Sequence, residues 1–250
     1  MSTSNKACCT LPPVQTDYKP KGTMEKVAGI DSYVTGDANA TNVILCVYDI
    51  FGFWETTQQG ADMLAAASKA KVVMPDFLRN KPWPIDAFPP RNDDESKRFN
   101  EWLETVGNVG NSVKEVLAIS TALKEGGAER LGLYGFCWGG KVVSYVAGQS
   151  SPFVGVALVH PAFVAPEDAN NVTVPIAFFP SKDEPKKDTD EFWRLLKEKA
   201  PKAAEKSEYV YYGENHHGFA AARADLKDPS NFKAYEDVYN RLCAFFCGLF

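Results

Sequence analysis

Apolar residues fall along this chain in short unbroken runs, separated by stretches in which they recur every three or four positions. The unbroken runs are Ile30–Thr35, Val43–Tyr48, Lys71–Met74, Arg130–Tyr134, Val154–Val159, Val174–Phe179 and Glu208–Tyr212. Runs of that length suit strands buried on both faces. Helical periodicity fills most of the gaps: Thr56–Ser68, Asp94–Thr105, Val109–Glu125, Lys141–Gln149, Thr189–Lys199 and Asn231–Leu249. Strands alternating with helices predict an α/β fold, a mostly parallel central sheet with helices on both faces. Residues 1–26, with Pro12, Pro13 and Pro20, read as an N-terminal extension over the surface, and 27–250 as one domain. From Asp76 to Asn92 the prolines at 82, 84, 89 and 90, with Trp83 and Phe88, predict a loop near the strand C-termini. No internal repeat or low-complexity tract interrupts the pattern.

One strand ends in an unusual way. Leu131-Gly132-Leu133-Tyr134 runs into Gly135-Phe136-Cys137-Trp138-Gly139-Gly140 and then into a small-residue helical segment. Strand, Gly-x-Cys-x-Gly turn and helix together make the context of a nucleophile elbow, with cysteine where serine usually stands. Glycines are needed because the strained turn brings strand and helix so close that a Cβ at Gly135 or Gly139 would crowd them. An ordinary buried core cysteine reads the same in isolation, so the order of the remaining groups matters.

An elbow nucleophile is followed by an acid and then a histidine. The chain has three histidines. His217, on a loop after the last strand and followed by Gly218-Phe219, is the expected base; His216 is its neighbouring competitor, and His160, at a strand end before Pro161, reads as structural. The acid is expected from Ser181-Lys182-Asp183-Glu184-Pro185. Asp183 is the candidate to hold the imidazole tautomer, with Glu184 adjacent and Asp188 and Asp190 reading as charges near a helix start. Cys137, Asp183 and His217 thus stand in order, each at a predicted strand end.

With these motifs, Tyr48-Asp49-Ile50-Phe51-Gly52, Pro75-Asp76-Phe77 and His217-Gly218-Phe219, the chain from about Gly29 onward resembles the dienelactone hydrolase family of α/β-hydrolases. The resemblance implies a Cys–Asp–His triad that opens a lactone or ester through an acyl-thioester, with no metal or cofactor. It also implies an oxyanion hole from the backbone amides of Ile50 and Trp138, and a thiol-tuning carboxylate at Asp49, where the family often has glutamate. Arg79 falls where family members acting on carboxylated lactones carry an anion-binding arginine. The second such arginine is not matched, since Ala220, Ala221 and Ala222 stand there and Arg223 is displaced. Phe51, Trp54, Trp83, Trp138 and Phe219 are candidates for an aromatic pocket, of which Trp138 and Phe219 are placed by motif. A thioesterase or carboxylesterase with another substrate, and a non-enzymatic protein using Cys137 as a redox-sensing thiol, are the rival classes.

Composition narrows the setting. A 250-residue chain that is 45% apolar can bury a large core in one domain. Its net charge of −5 carries no basic stripe that argues for nucleic acid. No 18-residue apolar window predicts a membrane span, and Met1 to Lys6 lacks an apolar signal core. The six cysteines show no metal-ligand spacing, which suits a reducing, cytoplasmic setting, with a small-molecule substrate and a monomer or homodimer. Cys247-Gly248-Leu249-Phe250 has the outline of a prenylation box, but without upstream basic residues it reads as a helix end.

Overall fold

The computed structural model describes residues 11–148 and 150–250; Met1 to Lys6, Cys8, Cys9 and Gln149 lie outside the described residues. Its strands are β1 (Thr23–Val27), β2 (Ile30–Thr35), β3 (Asn42–Val47), β4 (Lys71–Pro75), β5 (Arg130–Cys137), β6 (Gly155–Pro161), β7 (Ile176–Phe179) and β8 (Glu208–Tyr209). They form one sheet in the order β1-β2-β4-β3-β5-β6-β7-β8. β1 and β2 run antiparallel to their neighbours, and every pairing from β4 through β8 is parallel. The apolar runs become the central strands for the expected reason: β6 and β7 are buried at every position. β1 escaped the pattern because Thr-Met-Glu-Lys-Val at the sheet edge is exposed at four of its five positions.

The helices are α1 (Glu55–Ser68), α2 (Asp93–Thr105), α3 (Val109–Glu125), α4 (Trp138–Val146), α5 (Lys186–Lys199), α6 (Pro201–Ala204) and α7 (Pro229–Leu249). Two positions on β5 show that both faces of the sheet are covered. A Cβ on Gly132 would meet the Phe246 ring of α7, whereas one on Gly135 would meet Val143 of α4. Residues an odd number apart on a strand point to opposite faces, so α7 and α4 flank the sheet. α1 joins α7, its Gly60 leaving room for the Tyr239 ring. Cys247 lies within α7, its sulfur 3.9 Å from that of Cys243, and the chain stays helical to Leu249. Among the described residues no helix is long and apolar enough to cross a membrane.

Residues 11–22 are tied to the domain. Tyr18 Oη donates to Asp62 Oδ2 at 2.7 Å, the Lys21 amide reaches the same oxygen at 2.9 Å, and Tyr33 Oη also donates to Asp62. Gln15 and Gln59 exchange backbone and side-chain hydrogen bonds at 2.6 and 2.9 Å. The sheet itself begins at Thr23, before the boundary expected between residues 26 and 27.

Candidate active site

β5 stops and α4 starts on a single residue. Cys137 has φ 53° and ψ −119°, a backbone region that L-residues adopt at a cost of roughly 1–3 kcal/mol. The surrounding glycines make the turn possible. A Cβ on Gly135 would lie 2.6 Å from the Gly139 carbonyl carbon, and one on Gly139 would lie 2.5 Å from the Tyr48 carbonyl oxygen. The turn leaves Cys137 half-buried and facing a cavity of about 520 Å³. Trp138 fixes the helix start from below: it is fully buried, and its indole N–H donates to Gly107 O at 2.7 Å. Its backbone N–H belongs to the first turn of α4, where donors have no partner inside the helix.

The base and its carboxylates come from two loops that are stitched together. Ser181 pairs with Tyr212 as an isolated parallel bridge, and the Lys182 amide donates to Asn215 O at 3.0 Å. His217, from the second loop, meets the Cys137 sulfur with one side of its ring. Its Nδ1 lies 2.5 Å from Glu184 Oε1. A carboxylate can only accept, so Nδ1 carries the proton. Burial opposes a charged imidazole here, but Cys137 and Glu184 outweigh it and push the His217 pKa up to about 10.

This differs from the expected triad at one position. Asp183 does not reach the imidazole; its Oδ2 accepts from the His217 backbone N–H at 2.7 Å. The reason is local. The Ser181–Glu184 turn leaves Asp183 exposed and folds Glu184 inward, where the Ser181 amide donates to its Oε2 at 2.5 Å and the imidazole takes Oε1. Two adjacent carboxylates at one strand end look alike in sequence, and only the turn separates them. His216 turns elsewhere, its Nδ1 lying 2.9 Å from the His217 carbonyl oxygen.

His160 is in the second rank around the site. It is fully buried at φ 35°, stacked on Phe136, with its ring centroid 5.1 Å from that of His217. Burial, reinforced by His217, holds its pKa well below the usual value, so this imidazole is neutral. Among the described residues neither ring nitrogen has a hydrogen-bond partner.

Asp49 and Ile50 lie on the turn after β3. Asp49 is buried, and its carboxylate accepts from the Phe51 amide at 2.9 Å and the Ala222 amide at 3.2 Å. It therefore clamps the turn bearing Ile50 to the loop that follows His217. Burial, only partly offset by those two amides, pushes its pKa up to about 6. Ile50 lines the cavity beside Cys137.

Arg79 is not at the cavity. Asp76 accepts from Tyr48 Oη at 2.7 Å and from the Asn80 amide at 2.7 Å, which turns this loop towards α3. There the Arg79 guanidinium pairs with Glu115 at 2.6 Å. The aromatic wall also differs from the expected set. Trp54 is outside the cavity, Trp83 and Phe51 are core, and Phe219 backs the histidine loop against Tyr212 and His160. The rings that line the cavity are Phe88, Phe99, Phe163, Phe178 and Phe192. They come from the proline-rich loop, α2, the loop after β6, β7 and α5, segments whose convergence no local pattern announces. No three His, Cys, Asp or Glu side chains converge as metal ligands among the described residues.

Relatives place this geometry in a family. The chain is 35% identical over 229 residues to an AIM2 family protein of Schizosaccharomyces pombe, covering 90% of each chain. It is 29% identical over 235 residues to the carboxymethylenebutenolidase homolog of Homo sapiens, covering 90% of this chain and 89% of that one. A dienelactone hydrolase-like promiscuous phosphotriesterase from metagenomic libraries superposes with a TM-score of 0.63 at 14% identity, covering 92% of this chain and 98% of that one. The fold is that of the α/β-hydrolases. Residues 30–249 match the model of the dienelactone hydrolase family, and the chain belongs to that family of hydrolases.

Proposed function

We propose that this protein hydrolyses a small-molecule lactone or ester by nucleophilic catalysis from Cys137. The observation that carries the reading is the bracketing of His217 between the Cys137 sulfur and Glu184, with Cys137 held in the strained elbow conformation. In this reading His217 takes the thiol proton and Glu184, at Nδ1, fixes the tautomer that leaves Nε2 towards sulfur. The thiolate adds to the substrate carbonyl carbon, and the oxygen that becomes negative is met by the backbone N–H groups of Ile50 and Trp138. One such donor contributes about 3 kcal/mol in hydrolases of this logic. Collapse of the tetrahedral adduct breaks the acyl–oxygen bond, and His217 returns its proton to the departing alkoxide. Water, deprotonated by His217, then cleaves the thioester and regenerates the thiol.

Asp183 acts here as a positioning residue, fixing the backbone of His217 rather than its ring. Asp49 positions the oxyanion turn through its bonds to the Phe51 and Ala222 amides. A nucleophile that works as a thiolate belongs in a reducing compartment, so the proposed location is cytoplasmic. The test is a pre-steady-state burst of 4-nitrophenol from 4-nitrophenyl acetate, with the acyl adduct read by intact mass. The expected adduct maps to Cys137 and is absent in Cys137→Ala. Undiminished turnover by Cys137→Ala would sink this mechanism.

A further inference from the structure

The cavity above Cys137 has walls of a definite kind. Its rings are Phe88 and Phe99, in contact with centroids 5.6 Å apart, Phe178 and Phe192, 4.7 Å apart, and Phe163, with Val164 beside it in the chain. Its volume of about 520 Å³ falls in the range of sites for drug-sized ligands, about 300–1,000 Å³. A carboxylated five-membered lactone fills only a small part of such a space.

The charges argue in the same direction. Asp183, Glu184 and Asp188 lie in the wall, Asp183 and Asp188 exposed and Glu184 buried against His217, so the lining offers an anionic acyl group more carboxylates than cations. The cations of the lining are His217, which Glu184 already pairs, and Arg223, which is exposed like Asp183 and Asp188. Arg79, which could have received a carboxylate, is committed to Glu115 outside the cavity.

Phe163 adds a third observation. It is 63% exposed, in the left-handed region at φ 59°, on the wall of the cavity. A large aromatic ring held in a strained backbone and left in water is a feature that the fold alone does not require. The segment carrying it is anchored on both sides. The Ala162 amide donates to Cys137 O at 2.8 Å, and Asp168 pairs with Lys141 of α4 at 2.6 Å while accepting from the Ala165 amide. The segment is thus tied to the elbow, which keeps Phe163 on the wall of the cavity that Cys137 lines.

We infer that the acyl side of this site takes an uncharged, bulky apolar group, aromatic or medium-chain aliphatic, with Phe163 closing over it. The inference rests on the hydrolase reading and names its substrate class.

The test compares 4-nitrophenyl acetate, butyrate, hexanoate, octanoate and phenylacetate with the 4-nitrophenyl hemiester of glutaric acid, whose acyl chain is close to hexanoate in length but ends in a carboxylate. For the wild-type chain, kcat/KM is expected to rise along the aliphatic series by up to about fourfold per buried methylene. The hemiglutarate is expected to fall at least ~100-fold below the hexanoate, the scale of a buried unpaired charge. Phe163→Ala is expected to shrink the octanoate-to-acetate and phenylacetate-to-acetate ratios about tenfold. Equal or better turnover of the hemiglutarate, or a flat chain-length series, overturns the inference while leaving the hydrolase reading in place. Absence of Cys137-dependent turnover for every ester overturns both.

Discussion

Glu184 and Asp183 are neighbours with different duties, and substitution separates them. Glu184→Gln keeps the size and one acceptor oxygen but removes the charge that supports the imidazolium. It is expected to lower kcat by roughly 10³–10⁴-fold, the scale seen when a triad acid is made neutral. It also removes one of the groups holding the His217 pKa at about 10, so the alkaline limb of the pH–rate profile moves to lower pH. The wild-type limb is expected near pH 10, where the imidazolium that protonates the leaving group is lost. Asp183→Asn still accepts from the His217 amide, so its loss is expected to be tenfold or less, with the alkaline limb unmoved. A profile in which the two substitutions exchange these effects would return the ring-orienting role to Asp183.

At the scale of elements, the sequence revealed most where one strand's apolar run carries its own meaning. β3, β5, β6 and β7 were readable because strands buried on both faces need unbroken apolar residues, and the elbow was readable because its glycines answer a local clash. β1 was not, since an exposed edge strand leaves no apolar signature. The cavity walls were not either. Phe163, Phe99 and Phe192 are distant in sequence, and only the packing of α2, α5 and the segment after β6 brings them together. Asp183 was placed at the right strand end, but the turn that favours Glu184 is set by the Ser181 amide. The far side of the loop after β6 is tied to α4 by the Lys141–Asp168 ion pair, with both side chains largely shielded. Lys141→Met leaves that carboxylate without its cation and is expected to cost about 3 kcal/mol in chemical denaturation. KM for apolar esters is expected to rise as the Phe163 wall loosens.

Over the whole molecule, two buried carboxylates set the terms of stability. Asp62 collects Tyr18, Tyr33 and the Lys21 amide, so Asp62→Ala is expected to cost about 2–4 kcal/mol and to open residues 11–22 to proteolysis. Asp49 works with pH. Its folded pKa of about 6 lies above the ordinary aspartate value of 3.8, so the native state holds the proton more tightly than the unfolded chain. The stability this contributes is fully present below pH 3.8 and is lost as pH rises through about 6, a change on the order of 3 kcal/mol. The unfolding free energy of the wild type minus that of Asp49→Asn is therefore expected to fall across that window; a flat difference would contradict the buried, clamped state of Asp49. The distribution of sulfur has a practical consequence. Cys46 and Cys243 are buried, burial pushes the Cys46 thiol up, and Cys247 lies against Cys243 on α7. Cys137 instead opens into an apolar chamber beside an imidazole. Among the described thiols, a mild electrophile carrying an aromatic body, such as a benzyl chloroacetamide, is expected to label Cys137 first, so an adduct mapped to Cys137 reports the folded site.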